Sequence, residues 1–181
     1  WVKLWKHHGA QPQADRINDL ARERGETFLA RYGNKVSSEW LFPKMLEVLE
    51  NAPEVFEAAD QFIEAGDWII LQMTGSIKRN ACAAGYKATW DGGYPSQAFL
   101  KALHPRLENV VAEKLRGEVA PAGSRAGGLT EAMAAKLGLK PGTAVAVGGI
   151  DAHVAVPGAS VTQPGQMVMI MGTSLCHMVC G

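Results

Sequence analysis

The chain has 181 residues, 47% hydrophobic and 20% charged, a composition typical of a globular protein with one sizeable core or one domain plus part of another. Its 18 basic and 18 acidic side chains cancel to a net charge of zero, so no overall field attracts nucleic acid or an anionic membrane. No window reaches the roughly 20 apolar residues of a membrane span, and the N-terminus does not resemble a signal peptide.

The cysteines indicate a reducing environment. Cys82, Cys176 and Cys180 form no CxxC pair, and an odd count in apolar surroundings is typical of a cytoplasmic protein. Cys176, His177 and Cys180 would lie on mixed faces of a predicted strand, which argues against a metal site. We therefore expect a cytoplasmic protein with no metal site of its own, no nucleic-acid partner and no membrane contact.

Both ends of the sequence resemble cuts in a longer chain. The N-terminus has no initiator methionine, and the sequence stops inside an apolar run at Gly181. We expect the chain to be a fragment of a larger protein.

The first half of the sequence predicts helices. Apolar residues recur at helical spacing in four segments: 12–30, a segment opening at Ser37, 53–59 and 68–73. Pro43 is compatible with the second helix only if it lies in the first turn. Asp67 is predicted to cap the fourth helix, and Gly75 to end it.

The segment 76–95 has no regular apolar period. Glycine, lysine and tryptophan dominate it, so we predict a polar loop that contains Lys87. Such a loop can be a binding surface or an ordinary surface connection, and composition favours neither.

Short strands and turns are predicted in the second half. The expected elements are a helix over 96–103, a strand-and-loop connection over 116–128, a helix over 129–137, a buried strand ending at Val147, and a hairpin of 166–171 with 175–179. Thr130 or a neighbour is expected to cap the second of these helices, and Gly138 to end it. Helices and strands joined by short connections indicate an α/β or α+β fold.

Asp151 is the strongest candidate for chemistry. It follows a predicted strand and the pair Gly148 and Gly149, and it precedes a short helix that must stop near Pro157. A carboxylate at a helix start is kept ionised by free backbone N–H groups, so it can accept a proton. The alternative is a plain helix-capping aspartate, which spacing alone favours.

The turn formed by Gly172, Thr173 and Ser174 is a candidate phosphate site. Backbone N–H groups and hydroxyls in a tight turn suit phosphate oxygens, although an ordinary hairpin turn has the same composition. The sequence contains neither a P-loop nor a dinucleotide-binding fingerprint.

Trp5 and Lys87 are candidates for holding a polyhydroxylated ligand. Tryptophan faces pack on the C–H surfaces of sugars, and a lysine donates hydrogen bonds to hydroxyls. The alternative for each is structural: a core tryptophan and a lysine whose stem covers apolar surface.

Six collinear motifs resemble the FGGY carbohydrate kinases. They lie at 4–8, 37–40, 66–68, 84–90, 148–153 and 171–177. The resemblance implies an α/β fold of the actin-like, ribonuclease H-like kind, with two domains and an active site between them. In that arrangement residues 1–160 would be the C-terminal part of the sugar-binding domain, and residues 161–181 the start of the ATP-binding domain.

The resemblance also implies a reaction: ATP-dependent phosphorylation of L-ribulose to L-ribulose 5-phosphate in L-arabinose catabolism, with Mg²⁺ accompanying ATP. Asp151 would be the catalytic base and would contact the sugar, as would Trp5 and Lys87. The turn 172–174 would bind the phosphates of ATP.

Two alternatives stay open at this point. The protein could be a kinase for another pentulose or polyol, such as xylulose, or a sugar-binding module without catalysis. The family's N-terminal phosphate-binding hairpin and its adenosine-binding part have no counterpart here, so the isolated chain is not expected to phosphorylate sugars efficiently. The resemblance is compatible with a homo-oligomer and does not specify the number of subunits.

Overall fold

The computed structural model describes residues 1–172 and 175–181, and that part of the chain contains nine α-helices, two 3-10 helices and six short strands. The N-terminal helices are α1 (Gln11–Glu23), α2 (Leu41–Asn51), α3 (Pro53–Ala58) and α4 (Ala65–Thr74). The middle elements are β1 (Lys78–Asn80), α5 (Ala81–Lys87), α6 (Gln97–Leu103), α7 (Val110–Lys114) and β2 (Glu118–Ala120). The last are β3 (Arg125–Gly128), α8 (Glu131–Leu137), β4 (Ala144–Ala146), α9 (Asp151–Gly158), β5 (Met167–Met171) and β6 (Leu175–Val179). The 3-10 helices are Thr27–Tyr32 and Pro105–Leu107.

The first predicted helix is shorter than expected. It ends at Glu23 rather than near residue 30, because Gly25 adopts a left-handed backbone with φ 67°. The chain then continues as the 3-10 helix Thr27–Tyr32, which ends at Gly33. The apolar period runs through both segments, since both bury residues against the same core.

The second helix begins later than predicted. Its first residue is Leu41, and Trp40 precedes it with an extended backbone, so Ser37 does not open it. Pro43 lies in the first turn and is buried, as the sequence required.

Asp67 does not cap α4. The residue before this helix is Glu64, and no side chain makes a capping hydrogen bond there. Asp67 lies in the first turn, where its carboxylate accepts a hydrogen bond from the backbone N–H of Asn80 at 2.9 Å. Gly75, with φ 73°, ends the helix as predicted.

The prediction of a loop over 76–95 is wrong for its first half. β1 pairs in parallel with β2, and α5 follows directly. The Asn80 side chain caps α5, since its oxygen accepts hydrogen bonds from the backbone N–H of Cys82 at 2.8 Å and of Ala83 at 3.4 Å. Alanine and glycine supply most of this helix, so it has no apolar stripe that periodicity can detect.

Most predictions for the second half are confirmed. Ser96 caps α6, Thr130 caps α8 by accepting from the backbone N–H of Met133, and Gly138 ends α8 with φ 67°. The strands β5 and β6 form the expected antiparallel hairpin. The predicted buried strand is instead mostly exposed: within the described residues β4 pairs with β3 alone, and burial begins at Val147.

Apolar packing is concentrated in the helices of the first 115 residues. We call this cluster the helical core; its buried members include Ile17, Met45, Leu46, Phe56, Phe99, Leu100, Leu107 and Val110. A second cluster, the small core, comprises Ile70, Ala120, Ala126 and Val147. Within the described ranges every helix is too short or too polar to cross a bilayer.

Candidate active site

Asp151 is the first residue of α9. The preceding residue, Ile150, has an extended backbone, and no side chain makes a capping hydrogen bond at this helix start. The Asp151 side chain is exposed. The structure therefore lacks the capping bond of the alternative interpretation, and the carboxylate is accessible to a ligand.

Lys87 is the last residue of α5 and is half-buried. Its side chain borders an internal cavity of about 10 Å³ together with Phe42 and Phe99 of the helical core. A space of that size holds no more than a water molecule. Lys87 thus lies against the helical core, as the structural alternative expects.

The charge of Lys87 reaches the same imidazole as the charge of Asp151. Burial lowers the pKa of His153, the Lys87 ammonium lowers it further, and the Asp151 carboxylate opposes both. Nδ1 of His153 lies 2.8 Å from the sulfur of Cys82, so α9, which carries Asp151, lies against α5, which carries Lys87, although the two residues are 64 positions apart in the sequence.

The backbone around Trp5 is bonded to α2. The backbone oxygens of Leu4 and Trp5 accept hydrogen bonds from the Lys44 ammonium at 2.9 and 3.3 Å. Burial lowers the pKa of Lys44, Glu64 opposes this shift, and the Lys87 ammonium lowers the pKa further. The Trp5 side chain itself is 45% exposed.

The segment that carries Trp5 is also fixed on both sides by one buried carboxylate. Glu47 on α2 is 6% exposed and accepts a hydrogen bond from the Lys3 ammonium at 2.9 Å. The other oxygen of Glu47 lies 2.9 Å from Nε2 of His7. Trp5 therefore presents a partly exposed indole ring from a segment that contacts α2 on both sides.

A cleft of about 480 Å³ opens beside α5 and α9, and the predicted site residues Asp151, Lys87 and Trp5 are not among the residues that line it. Its lining residues are Arg31, Tyr32, Trp40, Cys82, Gly85, Tyr86 and His153. The volume is within the usual range for small-ligand sites. Three aromatic rings form one wall: Trp40 is 4.7 Å from Tyr32 and 5.8 Å from Tyr86, measured between ring centroids.

Sequence reasoning did not single out the cleft-lining residues. Trp40, Tyr86 and His153 belong to motifs that carried the family resemblance, but none was assigned a role. His153 is central, because its Nδ1 lies 2.8 Å from the Cys82 sulfur and its ring meets Tyr86 edge-on at 5.1 Å. The signal that could have identified them is that Trp40, Tyr86 and His153 each occur in a different one of the six family motifs.

A buried polar network around Asp67 and Arg79 holds the start of α5 in place. Burial raises the pKa of Asp67 to about 6, while the hydrogen bond from Asn80 and the charge of Arg79 act in the opposite direction. Arg79 is 3% exposed and donates to the backbone oxygens of Leu115 and Arg116 at 3.2 and 2.9 Å. The start of the helix that carries Cys82, Tyr86 and Lys87 is thereby fixed.

The predicted phosphate turn is only partly visible. Gly172 is exposed at the end of β5, and Thr173 and Ser174 lie outside the described residues. The phosphate-binding role of this turn therefore stays a prediction.

Comparisons with known proteins point to one family. The family model described as the FGGY family of carbohydrate kinases, N-terminal domain, matches residues 2–158. Ribulokinases from Halalkalibacterium halodurans and Shouchella clausii are 58% and 59% identical over 100% and 99% of the chain. The chain spans 32% of the length of each of these relatives.

A solved structure agrees in fold. A ligand-bound xylulose kinase from Lactobacillus acidophilus matches with a TM-score of 0.70 and 20% identity, over 96% of this chain and 34% of that one. At that identity the likeness shows the fold alone. It confirms the expected α/β fold, which is that of the actin-like sugar kinases. This chain forms one part of such a fold.

Proposed function

Because the chain belongs to the FGGY family of carbohydrate kinases, we propose that it is the sugar-binding part of an ATP-dependent ribulokinase, which converts L-ribulose to L-ribulose 5-phosphate. One observation carries the proposal: a cleft of sugar size is lined by Tyr86, the neighbour of Lys87 in α5, and by His153, which lies in the same helix as the accessible carboxylate of Asp151. The names of these two relatives favour ribulose as the sugar.

Asp151 is proposed as the general base. Phosphoryl transfer to a sugar requires that a hydroxyl loses its proton as its oxygen attacks the γ-phosphorus of ATP. The Asp151 carboxylate is exposed at the start of α9 and makes no capping hydrogen bond there. It can therefore receive the hydroxyl proton once the sugar is held against it.

Trp5 and Lys87 are proposed to hold the sugar. The exposed indole of Trp5 offers a flat apolar face for sugar C–H groups, and the Lys87 ammonium donates to sugar hydroxyls. Both side chains are attached to the packed helices, Trp5 through Lys44 and Glu47, and Lys87 through α5. A fixed binding surface of this kind lowers the entropy lost when sugar and phosphate are aligned.

ATP and Mg²⁺ are proposed as cofactors. The described residues hold no group of three potential metal ligands. Mg²⁺ usually keeps several waters and is bound by one or two carboxylates together with substrate phosphates, so it would reach the cleft chiefly on the phosphates of ATP. When bound, Mg²⁺ neutralises phosphate charge, and the turn of Gly172, Thr173 and Ser174 would add backbone and hydroxyl donors.

The remaining parts of the proposal concern the whole protein. We place a domain boundary near residue 160, with 161–181 opening the ATP-binding domain. We assign the enzyme to L-arabinose catabolism in the cytoplasm.

The test is coupled ATP turnover by the full-length protein with L-ribulose, L-xylulose, D-ribulose and glycerol. We expect kcat/KM for L-ribulose to exceed that for L-xylulose and glycerol by about tenfold or more. A higher value for L-xylulose would assign the protein to the related pentulose kinases. Background turnover with all four, combined with retained sugar binding, would leave the sugar-binding module as the correct description.

A further inference from the structure

The helix that carries Asp151 is weakly anchored by apolar packing. In the described part of the chain no residue of α9 is buried, and neither the helical core nor the small core includes a member of α9. One neighbour of α9 is the strand β6, whose own residues alternate between exposed and half-buried. Core packing therefore does not account for the position of Asp151.

His153 connects α9 to α5. Its Nδ1 is 2.8 Å from the sulfur of Cys82, and its ring packs edge-on against Tyr86 with a centroid distance of 5.1 Å and an interplanar angle of 78°. Tyr86 in turn packs on Trp40, a member of the helical core. The chain of contacts thus runs from the exposed helix to the best-packed part of the molecule.

The chemistry of this connection suits a fixed contact at neutral pH. Burial and then the Lys87 ammonium lower the pKa of His153, so the neutral imidazole predominates although Asp151 opposes the shift. A neutral ring that carries its proton on Nε2 accepts a hydrogen bond at Nδ1 from the thiol of Cys82. The edge-on contact with Tyr86 restricts the rotation of the ring.

We propose that His153 is a positioning residue, whose contacts with Cys82 and Tyr86 hold the Asp151 carboxylate in a fixed relation to Lys87. Successive residues of an α-helix are rotated by about 100°, so residues two apart point to nearly opposite sides. His153 can therefore hold one side of α9 while Asp151 faces elsewhere. The inference rests on the proposed function, in which Asp151 is the base and Lys87 binds the sugar.

Steady-state kinetics of the full-length protein test this role. His153→Ala is expected to lower kcat about tenfold or more and to change the sugar KM by less than about twofold, since Trp5 and Lys87 keep their supports. A tenfold rise in KM at unchanged kcat would mean that His153 binds the sugar directly, and unchanged kinetics would mean that it does nothing. Either result overturns the proposal.

Substitutions of Cys82 separate positioning from general damage. Cys82→Ser keeps a donor for Nδ1 and should retain most of kcat, whereas Cys82→Ala should lose much of it. The double variant His153→Ala/Cys82→Ala should be no slower than His153→Ala, because both changes remove the same contact. Cys180→Ala, which removes a half-buried free cysteine elsewhere, is the matched control. Additive losses in the double variant would contradict the proposal.

Hydrogen exchange gives a readout that does not need activity. Deuterium uptake by a peptide covering 151–158 of the full-length protein should be about tenfold faster in His153→Ala, while uptake by α2 stays unchanged. Unchanged uptake over 151–158 would refute the anchoring role, whatever the kinetics show. Absence of sugar turnover in the natural enzyme would instead refute the proposed function and leave the exchange result standing.

Discussion

The two sides of the candidate site differ in how they are held. Lys87 borders the helical core, which contains 18 buried apolar residues, whereas none of the described residues from 148 onward is buried. The side that carries Lys87 is therefore held by the same packing that stabilises the fold. The position of Asp151 depends instead on a few polar and aromatic contacts, above all those of His153.

This contrast separates stability from catalysis along the chain. Substitutions in the packed region should act mainly on the free energy of unfolding, while substitutions in α9 should act mainly on turnover. Three predictions test the contrast, in order of decreasing effect.

The largest effect is expected at the centre of the helical core. Phe99 is 2% exposed and packs edge-on against Phe28 at 5.4 Å, so Phe99→Ala should lower the free energy of unfolding by about 3–5 kcal/mol. Val154 of α9 is 49% exposed, so Val154→Ala should change the free energy of unfolding by less than about 0.5 kcal/mol. Urea unfolding measures both. Similar losses for the two variants would abolish the distinction between the regions.

The second prediction concerns the buried carboxylate of Asp67, which bonds to the residue before α5. Burial raises the pKa of Asp67 to about 6, above its ordinary value of 3.8, so the native state binds this proton more tightly than the unfolded chain. The contribution of Asp67 to the free energy of unfolding should therefore increase as pH falls through 6 and level off near 3.8, by roughly 3 kcal/mol.

Urea unfolding between pH 4 and pH 8 measures this contribution. Asp67→Asn keeps an oxygen that can accept from Asn80 but cannot titrate, so it should remove that part of the pH dependence. Asp60→Asn, at an exposed aspartate that pairs with Arg116, is the control and should leave the pH profile unchanged. The same profile in Asp67→Asn and in the natural protein would show that Asp67 titrates normally.

The third prediction concerns the base itself. Asp151→Asn keeps the shape of the side chain but cannot accept the hydroxyl proton, so kcat should fall by roughly 10², about 2.7 kcal/mol in activation free energy, while sugar binding is retained. Since Asp151 makes no capping bond, the free energy of unfolding should change by less than about 0.5 kcal/mol. Near-normal kcat with a clear loss of stability would instead make Asp151 a structural residue.

Predictions from the sequence were most accurate where local rules apply. Thr130, Gly138 and Gly75 were expected to cap or end helices, and they do so, because caps and left-handed glycines act on the backbone next to them. The helix α5 was missed, since its small residues carry no apolar period. Its start depends on Asp67, which was expected to cap α4 and instead bonds to Asn80.

The candidate site shows the same division. Asp151, Lys87 and Trp5 could be singled out from chemical type, from position beside predicted elements and from family resemblance, and their roles remain predictions. The roles of Cys82 and His153 could not be inferred, because these residues lie 71 positions apart and meet only when α9 comes against α5.

The sequence by itself determined the order of most helices and strands, the turns that separate them and the family, because these depend on local backbone rules and on motifs in a set order. Only the tertiary structure decided that Asp151 lies on a weakly packed helix and that His153 joins this helix to the core. The physical reason is that a contact between distant residues depends on packing and burial, which no single segment specifies. Asp151 and Lys87 were recognisable separately, but the contact of His153 with Cys82, which joins their two helices, was not.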